Sequence, residues 1–311
     1  MYIVNHRTLF FAITGALLAI SLGAIVFFRL PLSIDFAGGS LVEVSYTDAR
    51  PELSVVTATI HQLALGEVSV RESGTSAITV RTRTLSPEEH DKVLLALSNN
   101  KIQALTELRF NSIGPSMGAE LGKKALYALL GIIAAIMLYI AWAFRTVSKP
   151  VSSWIYGLVV VIILIHDVLV PAGFYAVLGH YTGSQVDSLF VVALLAILGY
   201  SVNDTIVIFD RIREHLRTNE HDKLVEPFDV TVGKSVTETL GRSINTSLTV
   251  ALALLALVFI GSKETMDFAL VLLVGVVAGT YSSILLAAPL LIPLAKRFAK
   301  DAVITDTKKK R

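Results

Sequence analysis

The stretch Gly199-Tyr200-Ser201-Val202-Asn203-Asp204-Thr205-Ile206-Val207-Ile208-Phe209-Asp210-Arg211-Ile212-Arg213-Glu214 decides how this chain is read. It continues an apolar run that opens at Leu189, carries Asn203 and Asp204 into that run, returns to apolar residues, and ends in a dense group of charges. An apolar run of this length reads as a membrane-spanning helix. A carboxylate at bilayer depth costs roughly 2.5–3.5 kcal/mol on insertion scales, so it has a task or a partner. Two readings of Asp204 follow: a group that titrates during a transport cycle, or a static group that locks helix packing.

The surrounding chain has the same character. Of 311 residues, 53% are hydrophobic and 17% charged, far too apolar for an ordinary soluble domain, and there is no cysteine to form a disulfide or a thiolate metal site. Five further apolar runs accompany the first, giving spans at 9–28, 125–144, 154–178, 189–209, 243–260 and 268–294. Pro171 is expected to kink the third, and Pro289 and Pro293 the end of the sixth. The first run lacks a small-residue cleavage site and is expected to stay as a span.

Six spans put both ends of the chain on one side, and the positive-inside rule selects which. Arg7, Arg145, Lys149, Arg211, Arg213, Arg217, Lys223, Lys234, Lys296, Arg297, Lys300, Lys308, Lys309, Lys310 and Arg311 all fall on the side of the termini. The opposite short loops hold only Asp187, and Lys263 with Glu264 and Asp267. Both termini are therefore read as cytoplasmic. The expected organisation is 1–29 for the amino terminus and first span, and 30–124 for an outer domain and hinge. Spans two to six follow over 125–295, with a cytoplasmic amphipathic segment at about 215–241, and 296–311 is a basic tail.

The outer region reads as a small α/β domain. Val42, Val44 and Tyr46 alternate as a half-buried strand does, and Leu53, Val56, Ile60 and Leu63 share one helical face. Val68 and Val70 mark a second strand, and Ile78, Val80 and Thr82 a third. Ser86 and Glu89 form a capping box with Pro87 at the first helical position, opening a helix lined by Leu94 and Leu97 and stopped by Asn99-Asn100. Leu108 and Phe110 mark a fourth strand. Strand, helix, strand, strand, helix, strand is the order of a ferredoxin-like sandwich. The fold class is thus a polytopic α-helical membrane protein with six transmembrane helices and a ferredoxin-like domain between the first and second. Val225, Phe228, Val232 and Val236 predict a short interfacial helix between spans four and five.

Asp204 heads the candidate site residues. Arg242, where span five begins, keeps its proton and is placed to steady a nearby carboxylate, or simply snorkels to the interface. Asp167 in span three either joins a polar track with Asp204 or meets a hydroxyl on a neighbouring helix; its neighbour His166 points elsewhere on the helix. Asn203, Thr205, Ser243, Asn245, Thr246, Ser247 and Thr249 supply amides and hydroxyls that glue helices or hold water, with Asn245 and Thr249 one turn apart. Asp210, Arg211, Arg213 and Glu214 read as an interfacial anchor.

Gly114-Pro115-Ser116-Met117-Gly118 matches the nucleophile-elbow pattern, but no hydrolase sheet or acid–histidine pair accompanies it, and a hinge into span two explains its glycines better. No zinc-protease, P-loop or dinucleotide motif is present. No enzyme activity, catalytic residue, cofactor, metal or nucleic-acid partner is expected, and an ion gradient is the remaining energy source.

Four segments carry a family resemblance: Gly199 to Glu214, Ile34-Asp35-Phe36-Ala37-Gly38-Gly39, Ile113-Gly114-Pro115 to Glu120, and Gly241-Arg242-Ser243-Ile244-Asn245-Thr246-Ser247. Together, in order and in topology, they resemble the SecF-type subunits of the SecD/SecF family, in the resistance-nodulation-division superfamily. The resemblance implies a subunit of the bacterial inner membrane with a periplasmic outer domain. It pairs with SecD, works beside the SecYEG channel, and uses the proton-motive force to aid late export of unfolded polypeptides. It further implies that Asp204 and Arg242 lie on the proton pathway, to which Asn203 and Asp167 are added here. Gly241-Arg242-Ser243 stands where the family pattern is Ser-Arg-Thr, a change that leaves the charge in place. The alternatives are a proton-driven exporter of small molecules or lipids in the same superfamily, and a passive scaffold of the translocase.

Overall fold

The structure, a computed structural model, describes residues 1–99, 102–145 and 151–297. Asn100, Lys149, Lys300, Lys308, Lys309, Lys310 and Arg311, and the tail beyond Arg297, lie outside the described residues, as does the side chain of Glu264. The chain divides into two compact units, one of Leu32–Leu126 and one of Met1–Pro31 with the chain from Tyr127 onward.

The first unit contains α3 (Ile34–Ala37), β1 (Gly39–Tyr46), α4 (Leu53–His61), β2 (Ser69–Ser73), β3 (Ala77–Thr82), α5 (Pro87–Leu97) and β4 (Leu105–Ile113). The strands form one antiparallel sheet in the order β2-β3-β1-β4, the ferredoxin-like arrangement. Alternation along β1 buries Val42, Val44 and Tyr46. With Ile78 and Val80 of β3 they form a core against Val56 and Ile60 of α4 and Val93 and Leu97 of α5. The capping box at α5 is present, with Ser86 accepting from the Glu89 amide and Glu89 accepting from the Ser86 amide. Edge strand β4 contains Leu108 and Phe110, as expected, and carries an irregularity. Its register slips opposite Glu43 and Val44, which pair with Arg109 and Glu107, so Leu108 is left over and exposed. Phe110 is likewise exposed and stacks on His90, with ring centroids 4.0 Å apart.

Gly118, in the stretch read as a hinge, lies within α6 (Pro115–Ala143). A Cβ there would lie 2.8 Å from the Gly38 amide nitrogen and 3.0 Å from the Phe36 carbonyl oxygen. Gly38 (φ +76) in turn sits against Pro115. These glycines are small because two backbones touch, and Gly38 also needs the left-handed conformation.

The second unit contains α1 (Tyr2–Asn5), α2 (Arg7–Phe28), the rest of α6, α7 (Ser153–Thr182), α8 (Ser188–His221), α9 (Phe228–Ile260) and α10 (Lys263–Ser282). α10 passes through a π turn at Ser283–Ala287 and stays helical to Arg297. Among the described residues, six helices are long and apolar enough to cross a membrane. The apolar windows of α7, α8 and the last span are 61, 44 and 56% buried, against 11% for α2, α6 and α9, so the first three form the centre. α10 packs on α7, α8 and α9, and α2 packs on α7, where Gly173 meets the Ser21 backbone. Helix α7 remains helical through the buried Pro171. Near Pro289 the last span widens upstream into the π turn, which accommodates a ring that has no N–H and crowds the carbonyl four residues earlier.

Among the described residues, 215–241 form no separate amphipathic helix. α8 continues to His221, and α9 begins at Phe228 and runs unbroken into span five. Val232 and Val236 belong to its first turns and are buried with Ile212 and Val4 in the bundle core, while Val225 is fully exposed. Gly233 leaves room for Met1. The extension is tied by ion pairs. Arg211 reaches Glu214 and Glu238 at 2.5 Å each, His215 lies 3.1 Å from Glu238, Arg213 pairs with Asp210, and Lys234 with Glu226. The apolar stripe read as interfacial therefore packs on protein, because the α8 and α9 helices outlast the apolar runs that define the spans.

Candidate functional site

A buried polar layer crosses the centre of the bundle. α7 contributes His166 and Asp167, 1% and 0% exposed. Although adjacent on the helix, the two side chains meet, with His166 Nδ1 2.8 Å from Asp167 Oδ1. Ser201 of α8 donates its hydroxyl to Asp167 Oδ2. Asp167 thus meets a hydroxyl on a neighbouring helix and, through it, adjoins the helix of Asp204.

Ser201, Asp204 and Thr205 share one face of α8 by helical spacing, and all three are buried. Thr205 Oγ1 lies 2.9 Å from Ser283 Oγ, whose hydroxyl also reaches the Ser201 carbonyl oxygen at 3.3 Å. Ser283 opens the π turn, a distortion frequent at functional sites because it breaks the regular backbone ladder. Small residues on α10 let α8 approach. A Cβ on Gly275 would overlap Ile197, and one on Gly279 would lie 3.0 Å from Ser201 Cβ. Gly275, Gly279 and Ser283 recur every fourth residue, the small-xxx-small pattern of close membrane helices.

Asp204 is 4% exposed, and its Oδ2 has no hydrogen-bond partner among the described residues; the same holds for Ser243 Oγ on α9. Ser243 and Ser247 flank the carboxyl, and Arg242 is the cation whose charge acts on it. Arg242 is exposed and forms no ion pair within 4 Å among the described residues. Ser247 accepts from Tyr200 at 3.1 Å and lies 2.5 Å from Thr280 Oγ1. Tyr281 stacks on His166, centroids 6.1 Å apart, and donates to the Phe10 carbonyl oxygen of α2 at 3.0 Å.

The structure thus brings Asp167 and Asp204 into one layer. Asn203 and Arg242 lie on the outer surface of the helices, as do Asn245 and Thr249. Thr246 and Thr249 bond carbonyls of their own helix, Arg242 O and Thr246 O. Ser201, Thr280, Tyr281 and Ser283 belong to the site without having been singled out from the sequence. The four-residue recurrence of small residues in span six was the available signal. Among the described residues, no three His, Asp or Glu side chains converge as metal ligands.

An unpartnered carboxylate oxygen inside a bundle is costly unless a proton or water reaches it. The layer therefore holds a buried acid, Asp204, beside the hydroxyls of α9 and in the field of Arg242 on that same helix.

Comparison with known proteins gives the family. The family model for the protein export membrane protein SecD/SecF, C-terminal, matches residues 93–297, and that for the SecD/SecF GG motif matches 23–49. The protein translocase subunit SecF of Anaerolinea thermophila is 40% identical over 292 residues, covering 93% of this chain and 92% of that one. The SecF of Rickettsia prowazekii is 33% identical over 310 residues, covering 98% and 94%. The crystal structure of SecDF from Thermus thermophilus, described as a translocon-associated membrane protein, is similar with a TM-score of 0.81 at 30% identity, covering 95% of this chain. SecDF in its super-membrane-facing form gives 0.67 at 29% identity and 97% coverage. The chain spans about two-fifths of either SecDF chain, 39 and 40%. With the GG motif at Gly38-Gly39, the six helices and near full-length likeness to SecF subunits, the chain belongs to the SecD/SecF family of protein export membrane proteins.

Proposed function

We propose that this multi-pass membrane protein is the SecF-type half of a translocase accessory unit, working with a SecD-type partner to couple proton movement to late steps of protein export. The observation that carries the coupling is Asp204, buried with one carboxyl oxygen unpartnered beside Ser243 and within the field of an exposed Arg242. Asp204 takes and releases the proton, Arg242 steadies the carboxylate, and Asp167 and Asn203 border the route. Polar groups at bilayer depth are costly against lipid. The exposed Asn203, Arg242 and Asn245 therefore support a covering protein surface, for which the part of the SecDF chains beyond this one is the natural candidate. The SecYEG channel and an unfolded exported chain complete the assembly. The location is the bacterial inner membrane, with the termini cytoplasmic and the Leu32–Leu126 unit periplasmic, as the distribution of Lys and Arg supports.

The test is export of a secreted precursor in cells dependent on this chain, comparing wild type with Asp204→Asn at equal membrane levels. Asn keeps size and hydrogen bonding but cannot titrate. Failed export with normal insertion and pairing is expected. Unchanged export makes Asp204 architectural and the chain a scaffold.

A further inference from the structure

We propose that His166 is a second proton carrier of the bundle, held in one orientation by Asp167 and acting in series with Asp204. This rests on the reading that the bundle moves protons. Both oxygens of Asp167 are engaged, Oδ1 with His166 Nδ1 at 2.8 Å and Oδ2 with the Ser201 hydroxyl. A carboxyl group so occupied acts as an acceptor on both sides, so it fixes the imidazole with the proton on Nδ1. The other ring nitrogen, Nε2, is then the lone-pair end. It is buried without a hydrogen-bond partner in a side chain only 1% exposed. A merely structural buried histidine would use both nitrogens, because an unmade buried hydrogen bond is costly.

The surroundings leave Nε2 few competitors. On α7 itself the facing ionisable group is Asp167. α8 presents Asp204, three residues beyond Ser201 and about 4.5 Å further along the axis. α10 presents the Tyr281 ring, whose hydroxyl is engaged with Phe10 O and lies 3.3 Å from Thr14 Oγ1. α2 has no charged residue between Arg7 and Arg29, and from α9 Arg242 is the charged group that acts on Asp204, beside the Ser243 and Ser247 hydroxyls. A proton accepted at Nε2 from water turns the His166–Asp167 pair from singly negative to neutral. Passing that proton on to the Asp204 carboxylate leaves neutral Asp204 and restores the negative pair. Ser201 and Thr205, bonded to α7 and to the π turn respectively, would carry the change in Asp167 to α10.

The test has two readouts. The protein, assembled with its partner in membranes and labelled with ¹⁵N-histidine, is followed by NMR from about pH 5 to about pH 8. His166→Gln identifies the signal among the seven histidines. Expected is one histidine whose Nδ1 stays protonated while Nε2 titrates, with Asp167→Asn releasing the Nδ1 restraint. In parallel, His166→Gln is expected to lower gradient-driven export at least about tenfold and flatten its pH profile, at normal membrane levels. An Nε2 that holds one state throughout, or an unaltered pH profile in His166→Gln, overturns the proposal. Should Asp204→Asn export normally while Nε2 still titrates and His166→Gln still fails, His166 is the carrier and the role given to Asp204 is withdrawn.

Discussion

The Ser201 hydroxyl donates to the Asp167 carboxylate, tying α8 to α7 at the level of the buried polar layer. The hydroxyl satisfies one carboxylate oxygen and His166 the other, so that this buried acid is engaged on both sides.

Removing it should be felt. Ser201→Ala keeps the Cβ that faces Gly279 and deletes only the donor. A hydrogen bond to a charged group is worth about 1.5–3 kcal/mol, so a loss of that order in thermal or denaturant unfolding is expected. Combined with Asp167→Asn, the two losses should fail to add. Additivity within about 0.5 kcal/mol would mean the bond carries no weight.

Gly275→Ala should destabilise the bundle by about 1–3 kcal/mol, since its new methyl overlaps Ile197. Ile197→Ala in the same chain should recover part of that loss. Gly15→Ala on α2, where a Cβ meets nothing within 4 Å, is the control and should be neutral in the same melting assay.

Two glycines four residues apart separate close packing from flexibility. Gly118→Ala pushes a methyl onto the Gly38 and Phe36 backbone, whereas Gly114→Ala enters open space. Faster hydrogen exchange around Gly38 and the start of α6 is expected for the first and not for the second. Equal effects would mean that the close backbone packing at Gly118 carries no weight.

In the Leu32–Leu126 unit, the Arg83 guanidinium and then the Ser86 amide hold the Glu89 carboxyl down, from its ordinary 4.5 to about 2. A depressed acid stabilises above its unfolded value. Its contribution is therefore complete above about pH 4.5 and is lost as the pH falls toward 2. Hydrogen exchange of α5 should rise over that window, and Glu89→Gln should remove the pH dependence. Ser86→Ala, which deletes the N-cap acceptor, should cost about 1 kcal/mol at neutral pH.

Much of the fold was legible because long apolar runs, alternating Val42, Val44 and Tyr46, and the Ser86–Glu89 box are local signals. The helix ends beyond the membrane were not. Hydropathy stops at Asp210 and begins again near Ser243, while hydrogen-bonded helix continues to His221 and resumes at Phe228. Asp204 and Asp167 stood out as charges in apolar runs. Their partners did not, since Ser201, Thr280 and Ser283 are ordinary in composition and become a layer only when Gly275 and Gly279 draw two helices together. The exposure of Arg242 and Asn203 depends on helix rotation, which residue type does not report.

The five-residue turn at Ser283–Ala287 stores one residue of slack. Every residue after it is turned by about 100° from where a straight α-helix would put it. The burial of Ala288, Leu291, Ile292 and Ala295 is thus fixed by a surplus residue upstream and not by counting from Gly275. Register at the end of the last span is in this sense inherited: losing a single residue from the turn would re-aim the whole terminal segment while leaving its composition, hydropathy and length almost untouched.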